Sequence, residues 1–239
     1  MLTLDQQNAL RQQYQRRRPG WQPATEQYAA LVRAHLQPQS IWLDVGCGRG
    51  GLMEQLAHPA ALTVGIDADF DSLREHRLPY LPRIAATSRR LPLANGSVDC
   101  VTASWVLEHM AQPAQDFREI GRVLRPGGFF IFMTPHRRHP LIQLNRLIGR
   151  LSGLQKRLVS QFYGRAAADT FPAYYRANTP AMLAQLGRQA NLRLTTLSII
   201  LDPSYWGFWP ALFPLMCRLE ELLPAQFQIH LVGALQRQA

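Results

Sequence analysis

Two acidic residues and a glycine-rich turn form the part of the sequence best suited to bind a ligand. Asp44 ends an apolar run and stands two positions before Gly46, in the segment DVGCGRGG. Asp67 ends a second apolar run, LTVGID, 21 positions after Gly46. That separation is typical of a carboxylate that binds ribose hydroxyls.

A carboxylate at position 44 would repel a pyrophosphate and attract an ammonium group. The glycines alone also satisfy G-x-G-x-x-G, which leaves a dinucleotide open as the ligand.

Apolar runs that alternate with helical patterns predict an open α/β sheet. Ile41–Val45 and Leu62–Asp67 fit buried parallel strands, and a helix is expected to start behind the turn at 52–57. Strand, glycine turn and helix form the corner at which such sheets bind nucleotides. The other predicted strands are 83–87, 98–103, 129–135, 192–201 and 227–235, and the other predicted helices are 113–124, 141–158 (one or two helices) and 180–190.

Three motifs resemble the class I S-adenosylmethionine-dependent methyltransferases, and within them the type 11 group. They are DVGCGRG at 44–50, the block LPLANGSVDCVTASWVLEHM at 91–110, and LRPGG at 124–128. The resemblance covers residues 24–135 and is looser beyond. It implies a Rossmann-like, mostly parallel seven-stranded sheet with helices on both faces. The last strand would be antiparallel, between the fifth and sixth, and a helical insertion would follow the fifth. Residues 1–239 would form one domain, with N-terminal helices at 1–36 and a helical cap at 136–177.

The resemblance also implies S-adenosylmethionine as the cofactor and a set of residues that hold it. The glycine loop would cradle the methionine half of the cofactor, and Asp67 would bind its ribose. The alternative is that Asp67 caps a helix at 69–76, a role that Asp69 could serve equally well. The family usually has an acid near position 87 that binds the adenine amino group, where this chain has Thr87. A hydroxyl or a backbone group is expected to replace it. The predicted cofactor-binding residues are Asp44, Gly46, Cys47, Gly48, Asp67, Ala68, Thr87, Ser88, Ser104 and Trp105.

The acceptor is expected to bind on the segment that follows the fifth strand. Tyr174, Tyr175 and Arg176 combine aromatic rings with a cation and could grip a ring, a sugar or a phosphate. The alternative is a lid whose aromatic rings pack on the core. His136 and His109 are the candidate general bases. A surface position for His136 and a structural role for His109 are the alternatives.

Charge and composition narrow the choice of partner. The net charge is +10, and 25 of the 26 basic residues are arginines, a bias that a GC-rich genome can produce, so nucleic acid is not favoured as a partner. Between Glu119 and Asp202, twelve bases accompany a single acid, Asp169. Such a field attracts anionic ligands and surfaces. The three separated cysteines and the polar N-terminus predict a cytoplasmic protein without a metal site. The apolar stretch 206–217 is too short to span a membrane.

These observations predict an enzyme that transfers a methyl group to a small or lipid-linked, anionic acceptor. A hydroxyl is the favoured target, and nitrogen and carbon acceptors stay open. Peripheral contact with an anionic membrane is also expected, and the sequence does not indicate an oligomeric state. Two alternatives compete with this interpretation. One is an NAD-dependent oxidoreductase, and the other is a non-catalytic module that docks on RNA or a membrane.

Overall fold

A seven-stranded sheet with the strand order β3-β2-β1-β4-β5-β7-β6 carries the predicted ligand-binding corner. The computed structural model describes residues 3–56, 60–150, 171–207 and 210–239. Its strands are β1 (Ile41–Val45), β2 (Leu62–Asp67), β3 (Arg83–Ala85), β4 (Val98–Ser104), β5 (Leu124–Pro135), β6 (Leu192–Ile200) and β7 (His230–Arg237). Its α-helices are α1 (Leu4–Arg17), α2 (Ala24–His35), α3 (Gly51–Leu56), α4 (Phe70–Arg74), α5 (Pro113–Val123), α6 (Pro140–Arg150), α7 (Pro180–Gln189) and α8 (Phe213–Leu222).

The predicted topology is confirmed. β1 pairs in parallel with β2 on one side and β4 on the other, and β2–β3 and β4–β5 are also parallel. The seventh strand lies between the fifth and the sixth, and the last strands are antiparallel. Asp44 is therefore flanked by Gly65 of β2 and Thr102 of β4. The carboxyl ends of β1, β2 and β4 meet at one edge, where ligands bind in such sheets.

The core follows from the apolar periodicity of the elements. Six of the seven residues of β4 are buried, all but Ser104, as expected for a strand covered on both faces. The α5 residues Phe117, Ile120 and Val123 are fully buried, and the Phe117 ring packs edge-to-face on Phe130 with centroids 5.5 Å apart. β5 begins at Leu124, five residues earlier than predicted, because Leu124 already pairs with Val98 of β4. The register then shifts, and the next paired residues are Phe129 and Cys100.

The described chain divides into two compact units. The sheet unit contains the described parts of residues 25–134, 173–198 and 231–239. The helical unit contains the described parts of residues 1–24, 135–172 and 199–230. Tyr14, Phe213 and Cys217 form the centre of the helical unit.

An ion pair joins α1 to the segment before α8 within the helical unit, since Arg11 Nη2 lies 2.8 Å from the buried Asp202 Oδ2. The predicted organisation into one domain with a cap at 136–177 stays a prediction, because residues 151–170 of that cap lie outside the described residues. None of the helices that the structure describes is long and apolar enough to cross a membrane.

Candidate functional site

The glycine loop folds back onto the end of β2. The backbone N–H groups of Gly46 and Cys47 both donate to the carbonyl oxygen of Ile66, at 2.7 and 3.1 Å. Gly46 has a φ of +74°, and a Cβ atom there would collide with the side chain of Val106. Gly48 has a φ of +51° but has open space where a Cβ atom would lie. Gly46 is thus required by packing as well as by conformation, whereas the loop surface at Gly48 is open to a ligand.

Asp67 anchors the loop and keeps capacity for further hydrogen bonds. Its Oδ2 accepts from the Gly48 N–H and its Oδ1 from the Asp69 N–H, both at 2.8 Å. An ionised carboxylate offers about four lone-pair positions, so about two remain for hydroxyl donors. The N-cap of α4 is Asp69, whose side chain accepts from the N–H groups of Asp71 and Ser72. Asp67 is therefore not needed as a cap, and Ala68 beside it is exposed.

Asp44 is a buried carboxyl group that lies close to a second acid. Its Oδ1 accepts a hydrogen bond of 2.6 Å from the Thr102 hydroxyl, which in turn accepts one of 2.8 Å from Trp42 Nε1. Burial raises the pKa of Asp44 to about 7; the hydrogen bond from Thr102 opposes this shift and the negative charge of Asp67 adds to it. A positive group near Asp44 would favour its ionised form. Sequence reasoning missed Thr102, because its role depends on the register of β4 beside β1.

The chain is strained where it leaves β4. Trp105 has a φ of +59°, in the left-handed region that non-glycine residues rarely adopt, and its N–H donates to the Met133 carbonyl at 2.9 Å. Such outliers cluster at ligand sites. Val106, the next residue, is the one that packs against Gly46. Ser104 and Trp105 thus lie beside the glycine loop, as the order of the strands predicts.

The two hydroxyl residues at 87 and 88 have different surroundings. The Ser88 hydroxyl donates to Asp116 Oδ1 at 2.6 Å, and burial raises the pKa of Asp116. Thr87 is exposed, and the N–H of the preceding residue, Ala86, donates to the backbone oxygen of Asp67 at 3.0 Å. Ser88 is engaged with α5, whereas Thr87 is the accessible hydroxyl near Asp67.

A buried polar network links β5 to the loop after β4. The Thr134 hydroxyl donates to Glu108 Oε2 at 2.9 Å, and Asn178 Nδ2 donates to the same hydroxyl at 2.6 Å. The Glu108 carbonyl accepts from the N–H groups of Tyr174 and Tyr175, at 2.7 and 3.1 Å. Sequence reasoning missed this network because it joins three distant segments; the carboxylate beside His109 was the only signal.

The predicted acceptor residues in the sheet unit lie close together. Arg176 Nη1 donates to the Ala111 carbonyl at 2.6 Å, and its guanidinium carbon lies 5.4 Å from the centre of the Tyr174 ring. Tyr174 is 40% exposed, so its ring does not pack in the core. His109 lies on the same loop as Ala111, and its Nε2 is 4.0 Å from Glu108 Oε1. The role of these residues in acceptor binding stays a prediction.

His136 lies in the helical unit and is fully buried, so a surface position is wrong for it. Its backbone N–H donates to Ile229 and its Nδ1 lies 3.0 Å from the Gln228 carbonyl oxygen. Burial lowers the pKa of His136, which keeps the ring neutral. With Nδ1 as the donor, Nε2 carries the lone pair, and that atom has no hydrogen-bond partner among the described residues. This tautomer could accept a proton.

Comparison with known proteins links this geometry to an enzyme family. A family model described as a methyltransferase domain matches residues 43–132. The ubiquinone biosynthesis O-methyltransferase of Paraburkholderia xenovorans is 32% identical over 183 residues, which are 72% of this chain and 72% of that protein. A probable S-adenosylmethionine-dependent methyltransferase of Mycolicibacterium smegmatis is 39% identical over 98 residues, 40% of this chain and 38% of that protein. The chain thus spans about a third of the length of some curated relatives that it matches.

Solved structures show the same fold at low sequence identity. A chain in the complex between the Haloferax volcanii Trm112 methyltransferase activator and a methyltransferase superposes with a TM-score of 0.62 and 16% identity. The match covers 99% of this chain and 95% of that one. At this identity the match bears on the fold alone.

Proposed function

The chain belongs to the class I S-adenosylmethionine-dependent methyltransferases, and we propose that it transfers the methyl group of S-adenosylmethionine to a hydroxyl of a small or lipid-linked, anionic acceptor. The observation that carries this proposal is the pair of carboxylates at the glycine loop. Asp44 would hold the ammonium group of the cofactor and Asp67 its ribose. A dinucleotide would instead bring a pyrophosphate towards Asp44, which its charge disfavours.

The residues present fit this cofactor. Asp44 is buried beside a second negative charge, so a cation that binds there relieves both its desolvation and its repulsion from Asp67. Asp67 has about two lone-pair positions left, one for each ribose hydroxyl. The open surface at Gly48 leaves room for a ligand on the loop. When bound, S-adenosylmethionine supplies an activated methyl group on a sulfonium.

The protein must then position the acceptor oxygen in line with the sulfur–methyl bond and exclude water. A hydroxyl acceptor also needs a group that takes its proton. We propose His136 for this role, since its ring is neutral and its Nε2 lone pair is available. His109, beside Glu108, is the second candidate.

Two observations support an oxygen acceptor with negative charge. Relatives named as O-methyltransferases act in ubiquinone biosynthesis and on malonyl-[acyl-carrier protein], and their names favour oxygen as the methylated atom. The segment 135–150 carries four arginines and no acid. We further propose that Arg176 and Tyr174 grip the acceptor and that Arg137, Arg138 and Arg150 favour peripheral contact with an anionic membrane. Arg157, also predicted for that contact, lies outside the described residues, as does the side chain of Arg150.

Calorimetry with S-adenosylhomocysteine and with NADH tests the cofactor. We expect binding of the former and none of the latter, and the reverse result would favour the oxidoreductase. Methyl transfer from labelled S-adenosylmethionine to a panel of hydroxylated lipids and small acids then tests the activity. Cofactor binding without transfer to any oxygen, nitrogen or carbon acceptor would favour a non-catalytic module. His136→Gln and His109→Gln variants, assayed with an identified acceptor, show which histidine affects turnover.

A further inference from the structure

Helix α8 of the helical unit is apolar on both faces. Its inner face buries Phe213 and Cys217 around Tyr14. Its outer face exposes Leu215, Leu219 and Leu222, which are 50%, 49% and 77% accessible, and Leu212, which directly precedes the helix, is 44% accessible. A surface helix of a soluble protein normally turns polar residues outward. A contiguous exposed apolar strip instead marks a surface that binds a protein or a membrane.

The four leucines form one continuous strip, which we call the leucine face. The spacing of four and three residues places Leu215, Leu219 and Leu222 on one side of the helix, and Leu212 directly precedes its first residue. Arg218 is the only charged residue among the exposed residues of 211–222, all of which the structure describes. Both acids of α8 are bound within the unit. Glu220 is buried against Trp206 Nε1 at 2.8 Å, and Glu221 accepts from Arg18 Nη2 at 2.7 Å.

Helix α6 adds basic and apolar side chains in the same unit. It begins next to α8, since His139 Nε2 lies 3.3 Å from Glu220 Oε1. Leu144 and Leu147 are 51% and 59% exposed. Both leucines line an open cavity of about 530 Å³. The other residues that line it are polar: Arg137, Gln143 and Arg146. Arginine and leucine side chains around one cavity suit an anionic amphiphile better than either a polar anion or an uncharged apolar ligand.

We propose that the leucine face of α8 docks on an anionic lipid bilayer, with its leucines among the acyl chains. Arg218 and the arginines at positions 137, 138 and 146 would lie at the depth of the phosphate groups. Charge selects this occupant over a second copy of the chain, because a symmetric contact would bring these basic surfaces together. The purpose of this docking, which is to meet a lipid-linked acceptor, rests on the proposed function. Docking itself can be measured without an acceptor.

Co-sedimentation with vesicles tests the proposal. The wild-type chain should bind vesicles of phosphatidylglycerol and phosphatidylcholine more tightly than vesicles of phosphatidylcholine alone. Salt should weaken this binding without abolishing it, because the leucines contribute independently of charge. The double variant Leu215→Ser/Leu219→Ser should lower the partition coefficient by at least about tenfold. Arg218→Gln should reduce binding at low salt only.

Leu4→Ser is the matched control, since Leu4 is a 67% exposed leucine on a different helix, α1. It should bind vesicles like the wild type. Equal binding by the double variant and the wild type would overturn the proposal. So would a wild-type dimer in light scattering that the double variant converts to monomer, because the leucine face would then bind a second copy. S-adenosylhomocysteine affinity, measured in parallel, should be unchanged in the double variant, because the proposed cofactor site lies in the sheet unit; this separates failure of docking from failure of the proposed function. The circular dichroism spectrum and melting temperature of the double variant should match those of the wild type, which shows that the helical unit is folded.

Discussion

The buried carboxyl group of Asp44 should make cofactor binding depend on pH near neutrality. Burial, with the added charge of Asp67, raises the pKa of Asp44 to about 7. In the absence of a ligand this group is therefore about half protonated at pH 7. If the ammonium group of the cofactor pairs with Asp44, only the ionised form binds well. Affinity should then rise as the pH rises and level off above the pKa of the carboxyl group.

The size of the effect follows from the pKa. With a pKa of about 7, roughly a tenth of the molecules have an ionised Asp44 at pH 6 and roughly nine tenths at pH 8. The affinity for S-adenosylhomocysteine should thus increase about tenfold over this range. Binding at pH 7 should also release about half a proton, since the positive partner lowers the pKa of Asp44 in the complex.

Calorimetry at pH 6, 7 and 8, in buffers of different ionisation enthalpy, measures both quantities. Asp44→Asn should weaken binding by about 10- to 100-fold at pH 8, the loss expected for hydrogen bonds to a charged group, and should abolish the pH dependence. Thr102→Val removes the hydrogen bond that favours the ionised carboxylate, so the midpoint should move to higher pH. Equal affinities at pH 6 and pH 8, without proton release, would refute the assignment of Asp44 to the ammonium group.

Three further predictions concern residues around the same site. Asp67→Ala should weaken S-adenosylhomocysteine binding by about 100-fold or more, because two hydrogen bonds to a charged group are lost; a change of less than about threefold in calorimetry would remove Asp67 from the ribose site. Thr87 has a hydroxyl that can donate or accept, so the wild type should bind S-adenosylhomocysteine and its hypoxanthine analogue with similar affinity. Thr87→Asp should favour the adenine form by about tenfold, and an unchanged ratio would place the base elsewhere. Arg176→Ala should lower turnover of an identified anionic acceptor by about tenfold or more without altering cofactor affinity, whereas unchanged turnover would leave Arg176 with a structural role.

The strands and the glycine loop were predictable because local signals agree there. The apolar runs of β1 and β2, the acids at their ends and the glycines between them each point to the same corner. The family resemblance also predicted the place of the last strand, between the fifth and the sixth. Helix α4 is shorter than the predicted 69–76, since the chain turns after Arg74, but its cap at Asp69 was among the predicted choices.

The missed features depend on contacts between segments that are distant in the sequence. The bond from Thr102 to Asp44 requires the register of two strands, and the bond from Thr134 to Glu108 requires β5 to end beside the loop after β4. Burial of His136 depends on residues 228 and 229, more than 90 positions away. The exposure of the α8 leucines could not be predicted either, because apolar residues lie on both faces of this helix and do not reveal which face packs inward.

A crystal structure with bound S-adenosylhomocysteine tests the roles of Asp44 and Asp67 most directly. We expect the amino group of the ligand near Asp44, directly or through one water, and both ribose hydroxyls within hydrogen-bond distance of Asp67. We also expect the homocysteine part along the open surface at Gly48. A ligand bound away from the glycine loop, or with its ribose on residues other than Asp67, would contradict these assignments.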